Sequence, residues 1–221
     1  MDTTAGRMID LLARAVRAVR VAHQRWPGGA ARRFSGVLYA VMMCAQPLVA
    51  AAAERYRIDP QHTYSSFEYE HWGLSLQRGR FDGNTGVIDI DSQAGTGAIA
   101  IEIDAASIST GSSLFDRVLR SGEFFDVATF PSIGFKSTAL HFEGDRLMRV
   151  DGILMIKGTA RAVTLQMTRF ECRYMIIYGK RACGANGFAR LSRSDFELGR
   201  YIPFVSDLVT LYVSVEAIRE D

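Results

Sequence analysis

From Tyr56 onward, almost every segment of this chain alternates apolar and polar residues with a period of two. "FEYEH" sets Phe67, Tyr69 and His71 on one face and Glu68 and Glu70 on the other. "AIAIEID" aligns Ile99, Ile101 and Ile103, and "GILMIKG" aligns Leu154 with Ile156. "AVTLQMT" aligns Val163, Leu165 and Met167, and "DLVTLYVSVEAI" aligns Val209, Leu211, Val213 and Val215. Successive strand side chains point to opposite faces, so this pattern specifies half-buried β-strands.

Turn signals punctuate the runs: "DGN" at 82–84, "AGTG" at 94–97, "EGD" at 143–145 and "KGT" at 157–159. About eight or nine strands at hairpin spacing are expected. Only "SLFDRVLRS", 113–121, has a helical pattern, with Leu114 and Val118 on one side. No βαβ crossover is present, so the fold class is all-β and antiparallel, a closed barrel or a sandwich.

The N-terminal 53 residues read differently. Arg32-Arg33 precede "FSGVLYAVMMCAQPLVAAAAE", a basic, apolar, small-residue order that matches a secretory signal. Cleavage is expected between Ala53 and Glu54, which divides the chain into an extension with signal peptide, 1–53, and a β-domain, 54–221. The apolar stretch is short for a membrane span and Pro47 interrupts it; an uncleaved anchor is the competing reading. "VMMC" makes Cys44 a poor lipidation site. The extension has seven arginines against two acids, and 54–221 has 19 basic against 22 acidic residues. The basic excess therefore belongs to the extension, and nothing in the domain's charge points to nucleic acid.

Cys172 and Cys183 remain in the domain, eleven positions apart around "RYMIIYGKRA", a polar, glycine-containing loop. Export favours a disulfide between them; two free buried thiols are the alternative. Hydrolase, zinc-site, redox and phosphate-loop motifs are absent from the sequence. "GTGAIA" matches a dinucleotide fingerprint in form, but the residues after it alternate as a strand. No metal or cofactor is expected. His71 reads as a core or rim histidine or as a polar contact for a ligand head group. Asp59 and His62 with Ser65 or Ser66 have the residue types of a triad, without a signal for an exposed nucleophile. In "RSDF", Arg193 and Asp195 share a parity, and the structural reading pairs them with each other or with the helix, as an ion pair or a cap; the other reading makes Arg193 a contact for an anionic head group at a barrel mouth. "GEFFDVATFPSIGFKS" packs four phenylalanines around Pro131, a ring-rich turn feeding a strand.

"YRIDPQHTYSSFEYEHWGLSLQRGRFDGNTG" resembles the opening of YceI-like proteins. "IDAASISTG", "LRSGEFFDVATFPSIGFKST", "GILMIKGTARAVTL", "RSDF" and "VSDLVTLYVSVEA" resemble further segments of that family, in its order. The resemblance covers nearly all of 54–221. "RSDFELG" lacks the glycine that usually follows the phenylalanine, and "KGTARAV" has alanine where proline is common. The resemblance implies a lipocalin-like closed antiparallel β-barrel of about eight strands with one short helix. It implies a periplasmic binding protein, not an enzyme, that holds a polyisoprenoid or other long isoprenoid lipid in its interior.

On that reading Phe124 and Phe125 stand at the mouth, with His71 as a polar contact. Phe67, Tyr69, Ile101, Ile103, Phe135, Leu154, Ile156, Val163, Leu165, Leu211 and Val213 line the interior. The expected partners are the lipid itself and a membrane surface met during loading, and a homodimer is compatible with both. A quinone-linked redox partner of a membrane cytochrome, or an enzyme acting on an isoprenoid lipid, are the alternatives. N-terminal sequencing of the exported protein should begin at or beside Glu54; residues from before Arg32 in the product would rule out this cleavage.

Overall fold

The computed structural model describes residues 53–221. The expected export segment, with Cys44, lies outside the described residues except for Ala53. The described residues form eleven strand segments and one α-helix. The strands are β1 (Glu54–Ile58), β2 (Tyr64–His71), β3 (Ser75–Phe81), β4 (Asn84–Asp91), β5 (Thr96–Asp104), β6 (Ile108–Ser109), β7 (Ser132–Glu143), β8 (Arg146–Ile156), β9 (Thr159–Met175), β10 (Lys180–Ser192) and β11 (Val205–Arg219). The helix, α1, spans Ser113–Arg120.

The segments combine into eight antiparallel staves. β1 and β2 follow one another along β11: Tyr56 pairs with Arg219, and Phe67 pairs with Leu211. β3 and β4 likewise continue one another, β3 against β2 and β4 against β1. β5 pairs with β4 and β6 with β3. The remaining staves, β7 to β11, follow in sequence order, and β11 returns to β1 and β2. The sheet therefore closes as an up-and-down barrel and leaves no free edge around the ring.

"DGN" at 82–84 is not a hairpin. It is a break between β3 and β4, and the reason lies in Asn84, which is fully buried. Its Nδ2 donates to Phe81 O (2.8 Å) and Thr63 O (3.2 Å), and its Oδ1 accepts from Ser65 Oγ (2.7 Å). Thr63 Oγ1 in turn donates to Glu216 O (3.2 Å). One asparagine thus satisfies the carbonyls that both breaks release, where an unpaired buried acceptor would cost about 1–3 kcal/mol.

α1 starts where Ser112 Oγ accepts the Phe115 N–H, and Arg117 and Arg120 sit in its last turn, where the dipole favours cations. With the β2–β3, β8–β9 and β10–β11 connections, α1 marks one end of the barrel. The β4–β5, β7–β8 and β9–β10 turns mark the other. At that second end Cys172 and Cys183 face each other across β9 and β10 and form a disulfide with Cα atoms 4.1 Å apart. Closing this loop is worth roughly 3 kcal/mol in the chain-entropy model. The loop it closes is not polar at its tip: Tyr174, Ile176 and Ile177 are all exposed there.

Arg193 and Asp195 do not pair with each other. Strand alternation ends at Ser192, and residues 193–196 turn as a 3₁₀ helix, where positions two apart no longer share a face. Asp195 is exposed, whereas Arg193 is buried. The Arg193 guanidinium donates to four carbonyls, two in the β10–β11 connection and two at the start of β11. These are Ser206 O (2.8 Å), Arg200 O (2.8 Å), Val205 O (2.8 Å) and Leu198 O. Asp207 caps the same turn by accepting from Ser194 N (2.9 Å) and Ser194 Oγ (2.8 Å). Arg193→Leu should therefore lower stability by at least about 2 kcal/mol, because several carbonyls lose their donors together. Urea denaturation measures this, and a loss under about 0.5 kcal/mol would show that the clamp is dispensable.

Candidate ligand-binding cavity

Alternation sends one face of every stave inward, and the inward side chains do not meet at the centre. They enclose a cavity of about 640 Å³. Its wall takes Phe67 and Tyr69 from β2, Phe81 from β3, Ile88 from β4 and Ile99, Ile101 and Ile103 from β5. Ile133 and Phe135 follow from β7, Val150, Leu154 and Ile156 from β8, and Val163, Leu165 and Met167 from β9. β11 adds Val209, Leu211, Val213 and Val215. Leu114, Phe115, Val118 and Leu119 of α1, Phe124 and Phe125 after it, and Arg200 and Tyr201 complete the lining at the mouth.

Two glycines explain why large rings leave this space open. Gly79 lies opposite Phe67 in the β2–β3 ladder, and a Cβ there would sit 2.4 Å from the Phe67 ring. A Cβ on Gly152 would sit 2.5 Å from the Phe135 ring. The far end of each ring reaches over a bare backbone on the neighbouring stave, so the ring walls the cavity instead of filling it. The rings continue as a chain. Phe67 stacks on Tyr69 (centroids 6.2 Å) and neighbours Phe81 (5.9 Å), and Phe81 meets the edge of Phe125 (5.4 Å). Phe124 reaches Tyr201 across the mouth (6.1 Å). Phe130 does not join them; it packs beside Gly158 in the β8–β9 turn.

The polar groups are few and grouped. Tyr69, His71, Gln77, Arg193 and Arg200 stand toward the mouth, and Thr63 and Ser65 stand deeper. Burial raises the Tyr69 phenol above its ordinary value, with Arg193 opposing the shift. Burial lowers the Arg193 guanidinium, opposed by Asp207 and Tyr69. Ser65 and Thr63 are already committed to the Asn84 network. The residue types of a triad are not assembled. His62 Nδ1 meets Asp59 Oδ2 at 2.8 Å on an exposed turn, and Ser65 donates to Asn84 instead. Among the described residues, no three His, Cys, Asp or Glu side chains gather as a metal site.

All fourteen positions singled out in the sequence for ligand contact, His71 included, lie on this one wall. Inward parity located those on strands; Phe124 and Phe125 were placed by the ring-rich turn beside the helix. Sequence reasoning missed Gln77, Phe81, Leu191, Phe196, Leu198, Arg200 and Tyr201. Phe81 and Gln77 sit on a strand whose burial pattern is mostly exposed, Leu191 lies near the end of β10, and the rest belong to a connection where period two carries no information. The one legible signal was "RYIPF", too apolar for a solvated loop.

The YceI-like domain family matches residues 56–217. Protein YceI of Salmonella arizonae is 31% identical over 174 residues, covering 77% of this chain and 90% of that protein. The crystal structure of BcnA from Burkholderia cenocepacia superimposes with a TM-score of 0.61 at 22% identity, over 72% of this chain and 98% of that one. A polyisoprenoid binding domain from Saccharophagus degradans gives a TM-score of 0.57 at 16% identity, over 75% and 98%. With the closed eight-stave barrel already in view, the family match over nearly the whole described domain settles the membership: this chain belongs to the YceI-like family.

Proposed function

We propose that the protein is a periplasmic carrier that holds a long isoprenoid lipid, such as a quinone tail or a polyprenyl phosphate, inside its barrel. The observation that carries this reading is the apolar cavity. Left empty, a space of about 640 Å³ would forfeit on the order of 15 kcal/mol at about 24 cal/mol per Å³ of cavity. That is as large as the whole stability of an ordinary domain. Water is a poor filling, because a buried water needs two to four polar partners and this wall offers few away from the mouth. A chain of methyl and methylene groups restores the lost contacts, at about 0.8 kcal/mol per buried CH₂.

The distribution of polar groups favours a ligand with one polar end. Tyr69, His71, Gln77 and Arg200 offer hydrogen-bonding groups at the mouth, and the deep wall is mostly hydrocarbon, with Thr63 and Ser65 committed to the Asn84 network. The polyisoprenoid binding domain of Saccharophagus degradans shares the fold. The Cys172–Cys183 bond supports an oxidising compartment, as does the signal-like order before Glu54.

Native mass spectrometry of the protein from its own periplasm should show an isoprenoid mass that leaves on denaturation. Gly79→Ala should push the Phe67 ring inward, and Leu154→Trp should occupy the cavity directly. Both variants should lose most of the bound lipid. Because the space is open, each should unfold within about 1 kcal/mol of the parent stripped of lipid, whereas overpacking a filled core costs roughly 1–3 kcal/mol. Strongly destabilised variants, together with a parent that never takes up an isoprenoid, would make this a solid β-domain.

A further inference from the structure

The cavity opens among side chains that are apolar on the outside as well. In the β2–β3 turn Leu74 is 85% exposed and Trp72 57% exposed, and Phe204 of the β10–β11 connection is 54% exposed. On α1, Phe115 is exposed and also lines the cavity, so it belongs to both surfaces. The patch is built rather than incidental. Trp72 stacks on Phe204 with centroids 4.5 Å apart, and its backbone N–H donates to Phe204 O at 2.7 Å. Trp72 adopts φ +56°, a left-handed conformation costly for a bulky residue, which Gly73 at φ +64° continues. The cross-strand contact holds the indole at the rim despite that cost.

We propose that this rim docks on the surface of a lipid bilayer, so that cargo passes between membrane and cavity without crossing water. The inference rests on the reading of the cavity as a lipid site. Its first support is continuity: the apolar lining runs out over Phe115 and Tyr201 onto the exposed rim. A chain entering from water would expose each of its methylenes, whereas one entering from a docked bilayer would not. The second is composition. Trp and Tyr with aliphatic neighbours suit the bilayer interface, where an apolar body and a polar tip are both accommodated.

The test uses the two tryptophans of the chain, Trp26 and Trp72. Trp26→Phe leaves Trp72 as the sole emitter, whether or not the extension is removed. With vesicles of phosphatidylcholine and phosphatidylglycerol carrying brominated acyl chains, Trp72 emission should shift to the blue and be quenched. Leu74→Glu/Leu76→Glu, outside the cavity wall, should lower the vesicle-bound fraction at least tenfold. The same variant should slow uptake of a long-chain polyprenol from vesicles to a similar extent. Uptake of that polyprenol from detergent micelles should not change. Ile176→Glu/Ile177→Glu, at the opposite end of the barrel, should behave as the parent. Three results would overturn the proposal: vesicle binding without Trp72 quenching, vesicle uptake by the Leu74/Leu76 variant at the parent rate, or a blue shift that follows protein concentration without lipid. The last would mean that a second copy covers the rim. Uptake from neither vesicles nor micelles would sink the carrier reading instead, and Trp72 quenching would still decide whether the rim docks.

Discussion

Everything in this barrel depends on one strand pairing with three neighbours. β11 runs the full height of the wall, with β10 along one edge and β2 and then β1 along the other. Remove that second edge and the eight staves become an open sheet, with hydrogen-bonding groups exposed at both margins. The closure joins residues about 150 positions apart in sequence, so its entropy cost falls late, after the local hairpins have formed. The buried Asn84 network sits at this seam. It ties the break between β1 and β2 to the break between β3 and β4 and to the Glu216 carbonyl of β11.

A closed eight-stranded barrel can be filled by its own side chains or can hold one ligand. Here the balance turns on where two rings lie. Phe67 and Phe135 are large enough to meet across the interior, but Gly79 and Gly152 let each lie against the wall. The aromatic surface is thereby kept and the central space left open. The arrangement gives up packing inside the empty protein, and an apolar guest restores it.

The two ends differ in kind. One is stitched by the Cys172–Cys183 bond and by ion pairs such as Arg219 with Glu54. The other is held open by Arg193, whose guanidinium gathers carbonyls of a connection that would otherwise collapse into the mouth or swing free. A buried cation is costly, and this one is stabilised chiefly by backbone dipoles, which keeps carboxylates out of an apolar opening.

The sequence by itself determined the strands, their inward parity and hence the wall. Side-chain direction in a strand is local, so Phe67 and Tyr69, Ile101 and Ile103, or Leu154 and Ile156 could be assigned to one face with no knowledge of their neighbours. It also indicated α1, through its apolar side, and it brought the two cysteines within reach of each other. The choice between barrel and sandwich could not be read from the alternation, because both show it; only the long-range pairing of β11 with β1 and β2 decides. Nor could the fate of Arg193 or of "DGN" be read, since each depends on carbonyls brought together from distant segments. The emptiness of the interior was decided by the tertiary structure alone. It depends on whether each ring happens to face a glycine on the next stave, and that is a matter of register between strands, which no single strand encodes.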